Sequence, residues 1–346
     1  MRLNEDKCEI WAWEGEEAEW MAKFPEEVKR IKENGFELLG CPVGDKEFSE
    51  KCVEGRVKKI KEVLDRLEVL DDPQSELALV RSCIGFPRFG FTLRSAPPED
   101  IERAVVEFDA MMDDVAEKRF KVVLKGDVEK QWHLPIRFGG IGIPKAQDVM
   151  TPAYLGNVFA TFPYVQELVG IDNVCEMKGV EETWNRLVDI LEEEEGTVDQ
   201  ESQDCLDDLG LKVDKEVMEK VMESVDNIPE SCPKDQNLQH FLHYLVHLKR
   251  ARQWLGKEEG EQESDEDEQE ERREQWRKLL VMRGNKETGY AGDWLNAIPC
   301  EALGTKMRRA VFLTVLRWWL GGRNGQAEKC GVRTAKGERC EQKLDK

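Results

Sequence analysis

The sequence lacks long apolar runs and lacks the kind of N-terminus that secreted proteins have. No window approaches the roughly eighteen uninterrupted apolar residues that suggest a membrane-spanning helix. The N-terminus shows no positively charged start followed by an apolar stretch and a small-residue cleavage site. We therefore expect an intracellular protein, cytoplasmic or nuclear, with no membrane partner.

Framework cysteine spacing is also lacking. The ten cysteines are scattered along a chain of 346 residues, which is too long to need disulfide staples. We expect most of them to be reduced thiols in the interior.

Basic residues are too few for a strong, free-standing nucleic-acid binder. The chain has 51 Lys and Arg against 72 Asp and Glu, a formal net charge of −21. Because binding to phosphates needs an excess of Lys and Arg on one face, this balance argues against such a function. A local excess occurs only in RVKKIK at 56–61 and among the basic residues of 306–323.

Apolar residues at three- and four-residue steps predict a mainly α protein. One amphipathic helix is predicted from Phe48 to Leu70, a second begins at Asp72-Pro73, and a third follows Pro97-Pro98. WHLPIRFGGIGI at 132–143 predicts a buried loop with short extended pieces. Further helices are predicted at about 150–162, 180–194, 214–225, 235–257, 266–283 and 303–320.

Three of the four histidines lie on one flank of the helix predicted at 235–257. His240, His243 and His247 have spacings of i, i+3 and i+7, and two of them could bind a metal ion. However, the surrounding leucines already account for an amphipathic helix, and no acidic or cysteine ligand is placed beside the histidines. We expect a half-exposed helix face.

Two N-terminal segments resemble a known family when they are taken together. LNEDKCEI at 3–10 and GFELLGCPVG at 35–44 resemble the part of non-LTR retroelement reverse transcriptases that follows the catalytic aspartates. That part contains a turn and strand with a lysine, followed by a hydrophobic hairpin centred on Leu-Gly that grips the primer.

The resemblance continues downstream in the same order. DPQSELALVRSCIGFPRFGFTLRSAPP resembles the helical thumb side of these proteins, and WHLPIRFGGIGIPKAQDVMTPAYLGN resembles their W-x-LP, GGxGI and AYL motifs. DWLNAIPCEALGTKMRRAVFLTVLRWWLGG, followed by two cysteines, is similar to their C-terminal region. The match covers roughly 1–165 and 288–346 and leaves 166–287 without a counterpart.

The resemblance implies a small β element that is left from a polymerase palm. In this element an N-terminal strand at 7–13 pairs only with a hairpin at 36–43. It divides the chain into 1–45, a palm remnant with a primer-grip-like hairpin, and 46–165, a thumb-like helical region. The remaining segments are an acidic helical region at 166–256, an acidic linker at 257–275, and a C-terminal helical region with an incomplete Cys-rich end at 276–346.

The same resemblance suggests candidate residues for nucleic-acid contact. Leu39 and Gly40 belong to the hairpin, and Lys58, Lys59 and Lys61 belong to the thumb-like helix. Lys7 stands at the position of a family lysine that assists nucleotide addition, and we expect it to be a remnant without a catalytic role. Cys330 and Cys340 are two ligands of an incomplete metal site, since a structural zinc site needs four.

The family's polymerase chemistry needs two or three carboxylates that hold two metal ions. The one Asp-Asp pair that resembles their tetrapeptide is Met111-Met112-Asp113-Asp114. Met112 falls in step with the apolar positions of the third helix, so we expect this segment to be helical and not catalytic. The complete family enzyme would use Mg²⁺, and we expect no cofactor in this chain.

The sequence therefore predicts a truncated or degenerate reverse transcriptase-like protein, of the RNA-directed DNA polymerase family, that lacks polymerase activity and binds nucleic acid weakly. One alternative is a non-enzymatic acidic scaffold of retroelement origin. Another is a polymerase subunit that a separate chain completes with a palm. The sequence leaves the oligomeric state open.

Overall fold

A computed structural model describes residues 8–12, 23–31, 34–208, 211–256, 274 and 293–320. Helices make up 67% of these residues and strands 5%, which confirms the prediction of a mainly α fold with a small β element. No helix in the described ranges combines the length and the apolar character that crossing a membrane requires.

The helices of the N-terminal half form one packed unit. They are α1 (Lys46–Arg66), α2 (Pro73–Leu79), α3 (Phe86–Ser95), α4 (Pro98–Phe120), α5 (Asp127–His133) and α6 (Ala146–Val169). Their apolar faces form a shared core in which the rings of Phe89 and Phe108 stack with centroids 4.4 Å apart.

The remaining described helices extend this unit. They are α7 (Val180–Glu192), α8 (Gln200–Asp208), α9 (Lys215–Glu223), α10 (Asn227–Ser231), α11 (Leu238–Leu255), α12 (Asp293–Asn296) and α13 (Arg309–Trp319). Helices α6, α7, α9 and α11 enclose a second core, while α12 and α13 pack on the first. Helix α6 contributes to both cores and runs through the division predicted at residue 165.

The ends of the first helices follow from local chemistry. Asp45 Oδ1 accepts a hydrogen bond from the Phe48 N–H and caps α1. A 3₁₀ turn, Leu67–Leu70, extends α1, and Pro73 then occupies the first turn of α2. These features confirm the predicted helix and its stop at Asp71-Asp72-Pro73.

The β structure consists of two separate two-stranded sheets. Strand β1 (Glu9–Ile10) pairs in parallel with β2 (Lys29–Arg30), and β3 (Gly35–Leu38) pairs antiparallel with β4 (Cys41–Gly44). The prediction that the N-terminal strand pairs with the hairpin is therefore wrong, because the backbone of β1 is paired with residues 29–30. A ring contact between Trp11 and Phe36, with centroids 5.2 Å apart, lies between the two sheets.

The segment at 132–143 differs from its prediction in its details. Trp132 belongs to α5, Ile136–Phe138 forms a 3₁₀ turn, and no strand occurs in this described stretch. Gly139 and Gly142 have φ values of 82° and 81°, and this left-handed backbone replaces the short extended pieces. The predicted helix at 266–283 and the predicted linker at 257–275 lie outside the described residues, apart from residue 274.

Candidate functional site

The hairpin β3–β4 ends in a tight turn formed by the two residues that the resemblance singled out. Leu39 has φ 51° and Gly40 has φ 83°, so both central residues are left-handed, as a two-residue type I′ hairpin loop requires. Glycine and asparagine suit this turn, whereas leucine in a left-handed conformation costs roughly 1–2 kcal/mol. Leu39 is also 92% exposed, so it gains little from packing against its own chain.

The hairpin is anchored so that its tip is presented to solvent. Pro42 is buried beneath it, and the Cys41 thiol donates to the Ser95 carbonyl at 3.3 Å. The backbone of Gly40 lies next to the ring of Phe91, which is 50% exposed. Leu38, Leu39 and Phe91 are all at least half exposed, and we call them the apolar tip.

Charged groups on α1 hold the base of the hairpin. Arg56 donates to Glu37 Oε1 at 2.6 Å and to Thr92 Oγ1 at 2.8 Å, which joins α1 to β3 and α3. Hydrogen bonds from Cys52 and Arg56 lower the pKa of Glu37. Burial and the bond to Glu37 raise the pKa of the Cys52 thiol to about 11, so Cys52 is not a reactive thiolate.

The three candidate lysines of α1 are exposed, but they do not share one face. None of Lys58, Lys59 and Lys61 forms an ion pair with a described residue. At about 100° per residue, Lys59 and Lys61 point roughly 200° apart around the helix. Lys59 is on the hairpin side, since its charge helps lower the pKa of Glu37.

Lys61 is on the other flank, which faces α4. It lies two helical turns after Glu54, which pairs with Arg103 of α4 at 3.4 Å. The structure therefore brings Leu39, Gly40 and Lys59 to one side of the molecule. Lys7, Cys330 and Cys340 lie outside the described residues.

The Met111-Met112-Asp113-Asp114 segment lies inside α4, which confirms its predicted helical conformation. Met112 is buried in the first core, and Asp114 pairs with Lys118 one turn later at 2.8 Å. Asp113, by contrast, points towards α5. It meets Glu129 and His133, and the three residues have ligand atoms that all lie within 4.8 Å of one another.

We refer to Asp113, Glu129 and His133 as the histidine–carboxylate cluster. The His133 side chain is 8% exposed, and its Nδ1 lies 3.0 Å from the Ile143 carbonyl oxygen. Because a carbonyl oxygen only accepts, Nδ1 is the nitrogen that donates. The other ring nitrogen, Nε2, lies 3.1 Å from Asp113 Oδ1.

Basic and acidic groups surround this cluster. Lys145 Nζ donates to Glu129 Oε1 at 2.6 Å. Burial alone would lower the pKa of Lys145, but the bond to Glu129 and the charges of Asp113 and Asp148 raise it above its usual value. Lys145 therefore stays charged and orients Glu129.

The cluster borders a cleft of about 1320 Å³ between α5, the start of α6, α7 and α11. Its walls contain His133 and charged groups of both signs, including Glu129, Lys145, Arg186, Glu193 and Arg250. Arg250 is already bound to Asp148 at 2.8 Å and to Glu193. The cleft is therefore polar and partly neutralised by its own ion pairs.

The three histidines of α11 lie along one face of the helix. His240 is exposed, and His243 and His247 are partly buried with ring centroids 6.1 Å apart. Burial lowers the pKa of His243 to about 4 and that of His247 to about 3, so both rings are neutral near pH 7. In the described part of the chain, these histidines do not belong to any group of three or more His, Cys, Asp and Glu side chains whose ligand atoms lie close enough together to bind a metal ion.

Comparison with protein-family models, with curated proteins and with solved structures found no match for this chain. The candidate sites therefore rest on residue chemistry and geometry.

Proposed function

We propose that this protein is a reverse transcriptase-like protein that binds nucleic acid weakly through the apolar tip and the adjacent flank of α1. The observation that supports the proposal is the exposed Leu39 in a left-handed turn. A bulky residue at such a position lowers stability and contacts little of its own chain, so contact with another molecule is its best explanation.

The chemistry of the surface fits bases and phosphates. Apolar side chains such as Leu38 and Leu39 can wedge against a base step, and an exposed ring such as Phe91 can stack on a base. Lys59, on the same side, can bind a phosphate. The resemblance of this hairpin to a primer grip suggests a primer–template duplex as the ligand.

The remaining parts of the proposal concern activity and location. We assign no polymerase activity to the described residues, because Asp113 and Asp114 are in the middle of a helix. Mg²⁺ would be needed only by a complete enzyme of the family. The described residues include free thiols, which supports an intracellular location: Cys41, Cys52, Cys83, Cys175, Cys232 and Cys300.

The test is fluorescence anisotropy with a labelled RNA–DNA hybrid at low and moderate salt. We expect Leu39→Asn to weaken binding severalfold while the hairpin becomes more stable, because asparagine suits the turn. Val69→Asn is the matched control, since Val69 is 90% exposed but lies in the turn after α1. It should leave binding unchanged.

Charge reversal at Lys59 and at Lys61 tests which flank of α1 contacts the nucleic acid. Lys59→Glu should weaken binding and reduce the salt dependence by about one phosphate contact, whereas Lys61→Glu should have a smaller effect. Binding that survives high salt, or equal effects of both reversals, would show that another surface is used. No binding at low salt would refute the proposal and favour the acidic scaffold.

A further inference from the structure

We propose that Asp113, Glu129 and His133 form a binding site for a divalent transition-metal ion of the Zn²⁺ or Mn²⁺ class. This site lies on α4 and α5, and it does not depend on nucleic-acid binding at the hairpin. The inference starts from an electrostatic mismatch within the histidine–carboxylate cluster.

The mismatch involves two buried acceptors that face each other. His133 donates from Nδ1 to the Ile143 carbonyl, and in this tautomer Nε2 presents a lone pair. Asp113 Oδ1 lies 3.1 Å away. Both atoms are buried, and neither has a hydrogen-bond donor among the described residues. A cation between them or beside them would satisfy both.

Glu129 supplies the third ligand. Lys145 occupies its Oε1, and no described residue donates to its Oε2. Glu129 and His133 are four residues apart on α5, so their side chains project from the same helix face. Ligand atoms within 4.8 Å of one another need only small side-chain shifts to reach metal bonds of roughly 2.0–2.2 Å.

The ligand set indicates the class of metal. One imidazole nitrogen and two carboxylate oxygens suit Zn²⁺ and Mn²⁺, whereas Ca²⁺ and Mg²⁺ favour oxygen ligands alone. The Nδ1 bond to Ile143 is the outer hydrogen bond that metal-binding histidines usually make, because it orients the ring and sets its tautomer.

The charge balance also favours a cation. The two carboxylates are opposed by one close cation, Lys145, which leaves a negative charge when His133 is neutral. Lys145 acts as a positioning residue, because it binds one oxygen of Glu129 and leaves the other oxygen for the metal.

The position of the cluster gives the site an open side. Glu129 and His133 line the charged cleft, whereas Asp113 approaches from α4 behind them. Three protein ligands with access to a cleft leave a coordination position for water, as in catalytic rather than structural metal sites.

The decisive experiment is an electron paramagnetic resonance titration of the full, chelator-treated chain with Mn²⁺ alone. Mn²⁺ is chosen because thiolates bind it poorly, so the cysteines do not compete. We expect one bound Mn²⁺ with a coupled histidine nitrogen, displaced by Zn²⁺. Asp113→Asn and His133→Gln should each weaken this binding at least about tenfold.

Asp114→Asn is the matched control, because Asp114 is the next residue and pairs with Lys118 on the outer surface. It should retain the bound ion, as should Leu39→Asn. If His133→Gln does not fold, Glu129→Gln serves in its place, since Glu129 is only partly buried.

Three results would overturn the inference. They are the absence of bound Mn²⁺, equal binding by the Asp113→Asn and Asp114→Asn variants, and a bound ion without nitrogen coupling. A His133 ring protonated on both nitrogens and unaffected by Mn²⁺ or Zn²⁺ in NMR spectra would show instead that a proton joins His133 to Asp113.

Discussion

Two glycines within helices allow the same substitution, glycine to alanine, to be tested with opposite expected changes in the free energy of unfolding. Gly156 lies in α6 where it meets α11, and a Cβ there would be 2.6 Å from Gln239 Cβ and 2.8 Å from Gln239 Cα. Gly55 lies in α1 with nothing within 4 Å of the position of a Cβ. Gly156→Ala should therefore destabilise the protein, and Gly55→Ala should stabilise it.

The magnitudes follow from two terms. Replacing glycine by alanine inside a helix gains about 0.5–1 kcal/mol, because the unfolded chain loses less freedom on folding. At Gly55 this is the whole effect. At Gly156 the new methyl group displaces backbone of α11, and overpacking of this kind costs about 1–3 kcal/mol. The two variants should differ by roughly the overpacking cost, with Gly156→Ala the less stable.

Urea unfolding followed by circular dichroism measures both values, with the wild-type chain as reference. A rise in the unfolding free energy for Gly55→Ala and a fall for Gly156→Ala are expected. If Gly156→Ala is as stable as Gly55→Ala, then α6 and α11 do not approach as closely as described, and the packing of the second core is wrong.

Two further predictions concern pH and the C-terminal helices. Burial keeps His243 and His247 neutral in the folded state, with pKa values of about 4 and 3 against 6.5 unfolded, so the unfolded chain binds more protons below pH 6.5. The unfolding free energy should fall by up to about 1.4 kcal/mol per pH unit for each histidine as the pH drops from 6.5 to 5. His247→Phe should flatten this slope in urea unfolding, and an unchanged slope would contradict the low pKa of His247 in the folded state. Gln74, which is 3% exposed, donates to the Thr305 carbonyl at 2.9 Å and accepts from the Met307 N–H at 2.7 Å. Gln74→Leu should cost about 1–3 kcal/mol and speed limited proteolysis at 298–308, and unchanged proteolysis would show that other contacts hold α13 in place.

Regular apolar spacing explains which helices could be predicted from the sequence. Helix α1 has a clear apolar stripe and a strong stop at Asp72-Pro73, so its extent follows from local chemistry. Helix α6 was predicted too short, because it is apolar all round and contains Pro152 and Pro163. Prolines normally mark helix ends, but packing in two cores keeps α6 continuous.

The features that could not be predicted depend on distant contacts. Strand β1 has two residues, which is too short for a pattern to indicate its partner. The spacing of Glu129 and His133 was visible in the sequence, but only the packing of α5 against α4 brings Asp113 to them. The hairpin at Leu39-Gly40 was expected from the family resemblance, and the separation of Lys59 and Lys61 follows from their spacing in a predicted helix. Only the contacts of Glu37 and Arg103 show which flank of α1 faces the hairpin.

Photo-crosslinking tests the proposed interface most directly. A photoreactive phenylalanine analogue is placed at position 39 in one variant and at the equally exposed position 69 in another, and each is irradiated with a primer–template duplex. We expect crosslinks to the duplex from position 39 that disappear with unlabelled competitor, and none from position 69. Equal crosslinking from both positions, or none from position 39, would contradict nucleic-acid binding at the apolar tip.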